Sequence, residues 1–274
     1  YLTKPFDRRE LLARVDTLLT LKNAVYHHNR FERIQRELEI ARRIQNAILP
    51  ETLPALPGLD IQVAYRPMDS VGGDFYDFHI VDDNRIGILI ADVSGHSIPA
   101  ALIASMIKIA FYMQSGLADA PDRLMQSIHN TLFDKCESHF ITASYSFIDR
   151  RRGKLLNANA GHHPCLIHQR SRDRILSVKG KGRIIGLLPS SGYELTETDI
   201  APGDRVVLFT DCILECRTTS GALFGEENFM ALVRECAGMS PADFVRHVPD
   251  HLSRWSGNEG LFEDDMTIIV VDVK

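Results

Sequence analysis

The sequence lacks the cysteine patterns that organise small extracellular domains and zinc-binding modules. Its cysteines are few, odd in number and scattered, with no CxxC spacing, at Cys136, Cys165, Cys212, Cys216 and Cys236. This pattern predicts neither a disulfide framework nor a zinc knuckle. A reducing compartment is the simplest interpretation, and we expect the chain to be cytoplasmic.

An excess of positive charge is also missing. The 31 Lys and Arg residues are outnumbered by 36 Asp and Glu residues, which gives a formal net charge of −5. Such a balance argues against nucleic acid as a partner. The longest apolar runs, 86–91 and 266–271, are too short to cross a bilayer, so no membrane partner is predicted. We recognise no signal peptide, and we expect a fragment because the first residue is Tyr1.

Several catalytic signatures are absent too. The sequence has no GxSxG nucleophile turn, no P-loop and no HExxH zinc motif, despite eleven histidines. At 274 residues with 45% hydrophobic content, it has room for one large domain, alone or with an appendage. Any chemistry must therefore come from another set of side chains.

Residues 7–49 contain no Gly or Pro until Pro50, and they predict one long helix with at most one break. One apolar stripe has coiled-coil spacing and runs through Phe31, Ile34, Leu38, Ala41, Gln45 and Ile48. A second stripe in a shifted phase runs through Leu11, Val15, Leu18, Leu21 and Val25. We favour a homodimer through this helix, with Gln45 helping to fix the register. The alternative is an amphipathic helix lying on the domain that follows.

Beyond Pro50, Pro54, Pro57 and Gly58 the hydrophobic period changes to that of strands. Strands are predicted at 61–66, 75–81, 85–92, 141–149, 154–160, 165–169, 174–178, 205–210 and 266–273. Helices are predicted at 98–115, 121–136, 225–237 and 241–255. Because helix pairs alternate with runs of strands, we predict an α+β fold with a central antiparallel β-sandwich flanked by helical layers.

Four aspartates stand at the ends of apolar segments. They are Asp74, Asp92, Asp211 and the first acid of the Asp264-Asp265 pair. Asp is depleted in strands and costly to bury without a partner, so its repeated placement there needs a reason. Oxygen ligands of this kind suit Mg²⁺ or Mn²⁺, and we predict that the strands converge on a metal site. Taken singly, each acid is equally consistent with a solvated strand end.

The residues next to these acids fit a metal site. Gly72-Gly73 before Asp74 permits close backbone approach to a ligand. Asp92 leaves an apolar strand and enters a helix that starts near Pro99. His96, in the connecting turn, could be a ligand, a general acid or a structural residue at the start of the helix. Two ions in such a site would activate a water for attack on phosphorus, without a Ser or Cys nucleophile.

Five motifs in order carry a family resemblance. They are VGGDFYDF (71–78), ADVSGH (91–96), NAGHHP (159–164), PGDRVVLFTD (202–211) and EDDMT (263–267). Together they resemble the sporulation-stage-II, sigma-regulating branch of the metal-dependent PPM (type 2C) serine/threonine protein phosphatases. The resemblance covers about residues 60–273 and implies a β-sandwich flanked by helices.

The resemblance also implies roles for particular residues. Asp92 would bridge two Mn²⁺ or Mg²⁺ ions, and Asp74, Asp211 and Asp264 would complete the carboxylate set. Asp265 is the alternative to Asp264, and the carbonyl of Val93 would be a further ligand. The catalytic roles fall to Asp92 and Asp74. Two positions depart from the family: Cys212 and Ser97 each replace a usual glycine.

A phosphate-binding Arg is usual near the first motif in animal relatives. Arg66, which precedes Asp74, is the candidate here, but we favour a role in surface or sheet packing for it. The N-terminal segment Tyr1-Leu2-Thr3-Lys4-Pro5-Phe6 and the residues up to about 21 resemble the end of a response-regulator receiver domain. Its phosphoacceptor would lie upstream of this chain, so Lys4 is expected to have no function here.

The resulting prediction has three segments: a receiver remnant at 1–21, a coiled-coil linker at 22–50 and a phosphatase domain at 51–274. The resemblance implies that the substrate is a phosphorylated anti-sigma-factor antagonist, cleaved by a metal-activated water in a two-component or partner-switching pathway. One alternative is a catalytically weak signalling scaffold with the same fold. Another is a different two-metal enzyme, such as a nucleotidyl cyclase or nuclease.

Overall fold

A computed structural model describes residues 8–68, 71–95, 97–189, 192–257, 262 and 264–274. The chain divides into two compact units, residues 1–44 and 45–274. The receiver-like motif at residues 1–6 lies outside the described residues, as does His96.

The first unit is helical. Helix α1, Arg8–Ile48, runs for 41 residues and continues past Ile44 into the second unit. The predicted helix is confirmed, and it is continuous where the apolar stripe shifts phase. Salt bridges at i,i+4 spacing, such as Arg33–Glu37 at 3.0 Å, support its solvated faces. Apolar side chains of both stripes are exposed, among them Leu18, Val25 and Phe31. The homodimer stays a prediction.

The described residues of the second unit form ten strands. They are β1 Leu59–Arg66, β2 Phe75–Asp82, β3 Arg85–Val93, β4 Ile141–Asp149, β5 Lys154–Ala160, β6 Cys165–Gln169, β7 Arg174–Val178, β8 Thr196–Asp199, β9 Arg205–Phe209 and β10 Met266–Val273. Its helices are α2 Ile98–Met113, α3 Pro121–Leu132, α4 Cys212–Glu215, α5 Gly225–Glu235 and α6 Pro241–Ser256. Short 3₁₀ turns lie at Ser115–Leu117 and Arg170–Arg172.

The strands form two five-stranded sheets. One has the order β1-β10-β9-β6-β7 and the other the order β2-β3-β4-β5-β8, and neighbouring strands in both are antiparallel. Helices α2 and α3 contact the second sheet, whereas α6 contacts the first. The predicted α+β sandwich is therefore confirmed.

Strand β10 shows why its sequence is a continuous apolar run. Its eight residues are all buried, and alternate side chains point to opposite faces of the sheet. Ile269 and Val271 join the core between the sheets, while Ile268 and Val270 join the core under α5 and α6. A strand covered on both faces has no solvent-facing positions, so it loses the polar alternation of a half-exposed strand.

Two short elements were not predicted from the sequence. Strand β8 has the sequence TETD, without a buried residue, and it joins the sheet at an edge beside β5. Helix α4 is a single turn after β9. Both lack the length or the apolar period on which sequence prediction depends. Among the described residues, no helix combines the length and apolar character needed to cross a membrane.

Candidate active site

Antiparallel pairing brings the four acidic segments to one end of the sandwich. Asp74 precedes β2 and Asp92 lies near the end of β3, and these strands pair so that Phe75 faces Ala91. Asp211 follows β9 and Asp264 precedes β10, and these strands pair so that Phe209 faces Ile268. Each sheet therefore supplies two acids.

A cavity of about 260 Å³ opens between these segments. Its described lining residues are Asp92, Ser94, Gly95, Phe140, Thr142, Gly161, His162, His163, Asp211 and Asp264. Three of the predicted ligands thus face one space. Arg66 is not among them; it is exposed at the end of β1, opposite Met266.

Asp74 is held from the opposite sheet. It is 2% exposed, and one carboxylate oxygen, Oδ2, accepts hydrogen bonds from the hydroxyls of Thr210 (2.9 Å) and Thr267 (2.6 Å). The same Thr210 hydroxyl accepts from the Thr267 backbone N–H at 2.9 Å. These bonds fix Asp74 against the end of β9 and the start of β10, and they tie the two sheets together at the site.

The neighbouring acids Asp264 and Asp265 do different things. Asp265 is 3% exposed, and its two carboxylate oxygens accept hydrogen bonds from the backbone N–H groups of Met68 (2.7 Å) and Gly73 (2.5 Å). Asp264 instead lines the cavity. The geometry favours Asp264 as the metal ligand and gives Asp265 the task of holding the Gly72-Gly73 turn.

Gln45, in the last turn of α1, supports the same turn. Its side-chain amide donates to the Gly72 carbonyl, and its Oε1 accepts from the Gly72 N–H at 3.0 Å. Gln45 is only 5% exposed. Its predicted role in coiled-coil register is therefore wrong, because both polar atoms are already paired with a backbone in their own chain. Sequence analysis missed this role, since the contact joins residues 27 positions apart.

The Gly73 backbone lies against the residue after Asp92. The Val93 N–H donates to the Gly73 carbonyl at 3.3 Å, and a Cβ added at Gly73 would lie 2.6 Å from the Val93 carbonyl oxygen. Only glycine fits this approach. The Val93 carbonyl, a predicted ligand, thus lies beside the turn that carries Asp74.

Burial and mutual repulsion raise the pKa values of three carboxyl groups at the site. Burial, followed by the charges of Asp211 and Asp264, raises the pKa of Asp92 to about 7. Burial and the charge of Asp264 raise the pKa of Asp211 to about 6. Burial and Asp92 raise the pKa of Asp74 well above its usual range. A cation in the cavity would remove this penalty by compensating the negative charge.

His162 is a functional residue to which sequence analysis gave no role. Its Nε2 lies 3.1 Å from the Phe209 carbonyl, which only accepts, so Nε2 carries the proton. Its Nδ1 then accepts from the Thr142 hydroxyl at 2.7 Å. Burial lowers the pKa of His162 to about 3, which keeps the ring neutral. Thr142 faces Asp92 across β3 and β4, so His162 links that strand pair to the residues before Asp211.

The two departures from the family pattern are accommodated locally. Asp211 has φ −62° and ψ −31°, and Cys212 continues as the first residue of α4, so no left-handed conformation is needed there. The Cys212 thiol donates to the Asp264 carbonyl at 3.3 Å. Ser97 caps α2 with an extended backbone at φ −118°, which any residue can adopt. Gly95, at φ +87°, retains the glycine that this turn requires.

The residues of the site fit a hard divalent cation. The predicted ligands are carboxylates and a backbone carbonyl, which is the donor set of Mg²⁺ and Mn²⁺. Within the described ranges, no three His, Cys, Asp or Glu side chains already close around one point. Ions held here would therefore keep water ligands, as Mg²⁺ commonly does.

The first prediction concerns the Asp264-Asp265 pair. Asp265→Asn should lower the free energy of unfolding by about 2–4 kcal/mol, because one of two charge-assisted backbone bonds is replaced by a donor facing a donor. Asp264→Asn relieves the repulsion on Asp92 and Asp211, so it should not lower stability, but it should weaken Mn²⁺ binding. Urea unfolding in EDTA and calorimetric Mn²⁺ titration measure the two effects. A stable Asp265→Asn variant that no longer binds Mn²⁺ would assign the ligand to Asp265 instead.

A second prediction tests the repulsion between Asp92 and the neighbouring carboxylates. A raised folded-state pKa means that the folded chain holds more protons than the unfolded chain between pH 4 and 7, so this contribution to stability falls as pH rises. The Asp92→Asn variant has no ionisable carboxyl group at this position and loses this pH-dependent contribution. Without metal, the variant should therefore gain stability over the wild type between pH 5 and pH 8, on the order of 2–4 kcal/mol.

Urea unfolding at four pH values in EDTA measures this difference, and the contributions of the histidines cancel between the two proteins. The exposed Asp250→Asn exchange serves as the control. A stability difference between Asp92→Asn and wild type that does not change with pH would contradict the repulsion.

A third prediction concerns Gln45. Gln45→Leu leaves the N–H and carbonyl of Gly72 without partners and should cost about 2–4 kcal/mol of stability. It should also weaken Mn²⁺ binding, because the same turn carries Asp74. Gln45→Glu keeps the acceptor for the Gly72 N–H and should lose less of both. Gln35→Leu, at an exposed position of the same helix, is the matched control. Equal stability of the Gln45 and Gln35 variants would refute the supporting role.

Comparisons with known proteins agree with this geometry. The family model described as Stage II sporulation protein E (SpoIIE) matches residues 82–274. Phosphoserine phosphatase RsbU of Bacillus subtilis is 30% identical over 241 residues, which cover 88% of this chain and 71% of RsbU. Phosphoserine phosphatase RsbP of the same organism is 29% identical, with 88% of this chain and 58% of RsbP covered.

Solved structures show the same fold. The SiaA-PP2C domain of Pseudomonas aeruginosa has a TM-score of 0.78 and 25% identity, covering 89% of this chain and 98% of the domain. The catalytic domain of the serine/threonine protein phosphatase PstP, in complex with two manganese ions, has a TM-score of 0.55 and 12% identity, covering 78% and 98%. With the ordered motifs and the paired acids of its two sheets, this chain belongs to the SpoIIE family of PP2C-type phosphatase domains.

Proposed function

We propose that the chain is a metal-dependent protein phosphatase that hydrolyses phosphoserine or phosphothreonine in a partner protein. The observation that carries this proposal is the cavity into which carboxylates from both sheets converge. The 30% identity to a phosphoserine phosphatase supports the same reaction class. Retention of every predicted carboxylate argues against a scaffold that has lost its activity.

Five groups would hold the ions. The charges of Asp211, Asp264 and Asp265 all raise the pKa of Asp92, and a carboxylate placed among three other acids suits a ligand shared by two ions. Asp74, Asp211, Asp264 and the Val93 carbonyl would complete the set. When bound, Mn²⁺ or Mg²⁺ supplies an activated water and offsets the charge of the phosphoryl oxygens.

The other residues keep this set in place. The Thr210 and Thr267 hydroxyls occupy one oxygen of Asp74 and leave the other for a ligand role. His162, neutral and bonded at both ring nitrogens, fixes the backbone before Asp211. A rigid site of this kind requires little rearrangement when the reaction proceeds.

We propose a phosphorylated anti-sigma-factor antagonist as the substrate, within a partner-switching or two-component pathway. The resemblance of the ordered motifs to the sigma-regulating branch supports this choice, and the similarity to phosphoserine phosphatase RsbU supports a phosphoserine in the substrate. We also propose that residues 1–21 are a receiver remnant, that residues 22–50 pair with a second copy and that residues 51–274 are the catalytic domain. The exposed apolar stripes of α1 support the pairing.

The test of this function is Asp92→Asn. Loss of the central carboxylate should lower Mn²⁺-dependent hydrolysis of a phosphoserine peptide by about 10³-fold or more, because the ions lose their shared ligand. The phosphate released is measured with and without Mn²⁺. Asp250→Asn, an exposed carboxylate on α6, should keep wild-type turnover. Wild-type turnover by Asp92→Asn would disprove the metal assignment.

A further inference from the structure

The segment 179–183 lies next to the rim of the active-site cavity. It leads into Ile185, which exchanges both backbone hydrogen bonds with Ile141 at 2.9 Å, and the neighbours of Ile141 in the chain line the cavity. On the other side, a Cβ added at Gly161, another lining residue, would lie 2.6 Å from the Ile184 side chain. The segment is therefore anchored on two parts of the cavity wall.

Two glycines press this segment onto its neighbours. A Cβ at Gly180 would lie 2.5 Å from the Glu194 carbonyl oxygen, and one at Gly182 would lie 2.1 Å from the Asn159 carbonyl oxygen. Neither glycine has a positive φ. Glycine is required at these positions because their inner side is filled by backbone, and not because of the local conformation.

The residues that flank these two glycines in the chain carry cationic side chains. Lys179, Lys181 and Arg183 are all exposed, whereas Gly180 between them is buried and Gly182 is half-buried. We call these three residues the basic rim. Their cationic groups share the outer side, next to a groove of about 660 Å³ that Lys181 and Arg183 line together with Tyr193 and Glu194.

The charges of the basic rim are not used within the fold. In the part of the chain that the structure describes, none of the three side chains forms an ion pair. The carboxylate of Glu194 lies close, but it accepts a hydrogen bond from the Lys181 backbone N–H at 3.0 Å. Lys179 lies near enough to the cavity for its charge, after burial, to lower the pKa of His163.

We propose that the basic rim binds acidic residues that flank the phosphorylated residue of the substrate protein. This inference rests on the proposed phosphatase function, with the phosphoryl group in the cavity. A substrate segment leaving the cavity in extended form places alternate side chains about 7 Å apart on one side. The basic rim has the same two-residue repeat, so acidic residues at alternate positions can each meet a cation.

The expected energy is modest because the pairs are exposed. A solvent-exposed ion pair changes an equilibrium by a factor of about 1.5–5, so three pairs together give about tenfold. The contribution should weaken at high ionic strength. The basic rim therefore selects among phosphoproteins and adds little to the chemical step.

The test compares two phosphoserine peptides with the full chain. One carries Glu at the second, fourth and sixth positions on both sides of the phosphoserine, and the other carries Gln there. With Mn²⁺ at low salt, the wild type should cleave the acidic peptide with about tenfold higher kcat/KM. In the variant Lys179→Gln, Lys181→Gln, Arg183→Gln the ratio should fall to about one. The variant Arg151→Gln, Arg152→Gln, in the turn at the far end of β4, should keep the wild-type ratio.

A charge-reversed variant guards against loss of fold. Lys179→Glu, Lys181→Glu, Arg183→Glu should prefer a peptide with Lys at the same positions, a gain that a misfolded protein cannot show. An unchanged preference for the acidic peptide in this variant would overturn the role of the basic rim. If the wild type hydrolyses neither peptide nor p-nitrophenyl phosphate, the proposed phosphatase function itself is overturned.

Discussion

Repulsion between buried carboxylates is the constraint on which the rest of the site depends. Folding brings acids from two sheets to one end of a sandwich, where burial and their own charges raise the pKa of Asp92 and Asp211. The fold limits this cost by supplying donors to particular oxygens: hydroxyls to Asp74, and backbone N–H groups to Asp265. The remaining negative charge faces the cavity, where a cation can balance it.

This distribution of donors separates acids that build the site from acids that serve it. Asp265 has both oxygens occupied by backbone donors, so it holds the chain in place. Asp92, Asp211 and Asp264 face the cavity. Asp74 belongs to both groups, since one oxygen accepts two hydroxyl bonds and the other accepts no hydrogen bond from the described residues. The number of hydrogen bonds that each carboxylate accepts from the protein therefore indicates its role better than its position in the sequence.

The fold and the acidic segments could be predicted because both depend on local pattern. Period-two and continuous apolar runs identify strands such as β3 and β10, and an Asp at the end of such a run is visible without a structure. The choice between Asp264 and Asp265 could not be made this way, because both precede the same strand and only their distant partners differ. Gln45 and His162 were missed for the same reason. Their partners, Gly72 and Phe209, lie 27 and 47 residues away.

The backbone around Gly72-Gly73 makes the site depend on residues that never meet a substrate. Gln45 holds Gly72, Asp265 holds Gly73, and Gly73 accepts from Val93, whose preceding residue is Asp92. A shift of any one of these groups must move the turn that carries Asp74. The backbone of Gly72 lies directly against the Asp265 carboxylate and that of Gly73 against the Val93 carbonyl, so neither position has room for a side chain. The last turn of α1 and the carboxylates of the cavity are thus parts of one hydrogen-bonded arrangement. Its geometry is set by backbone contacts, which the acidic motifs of the sequence alone do not reveal.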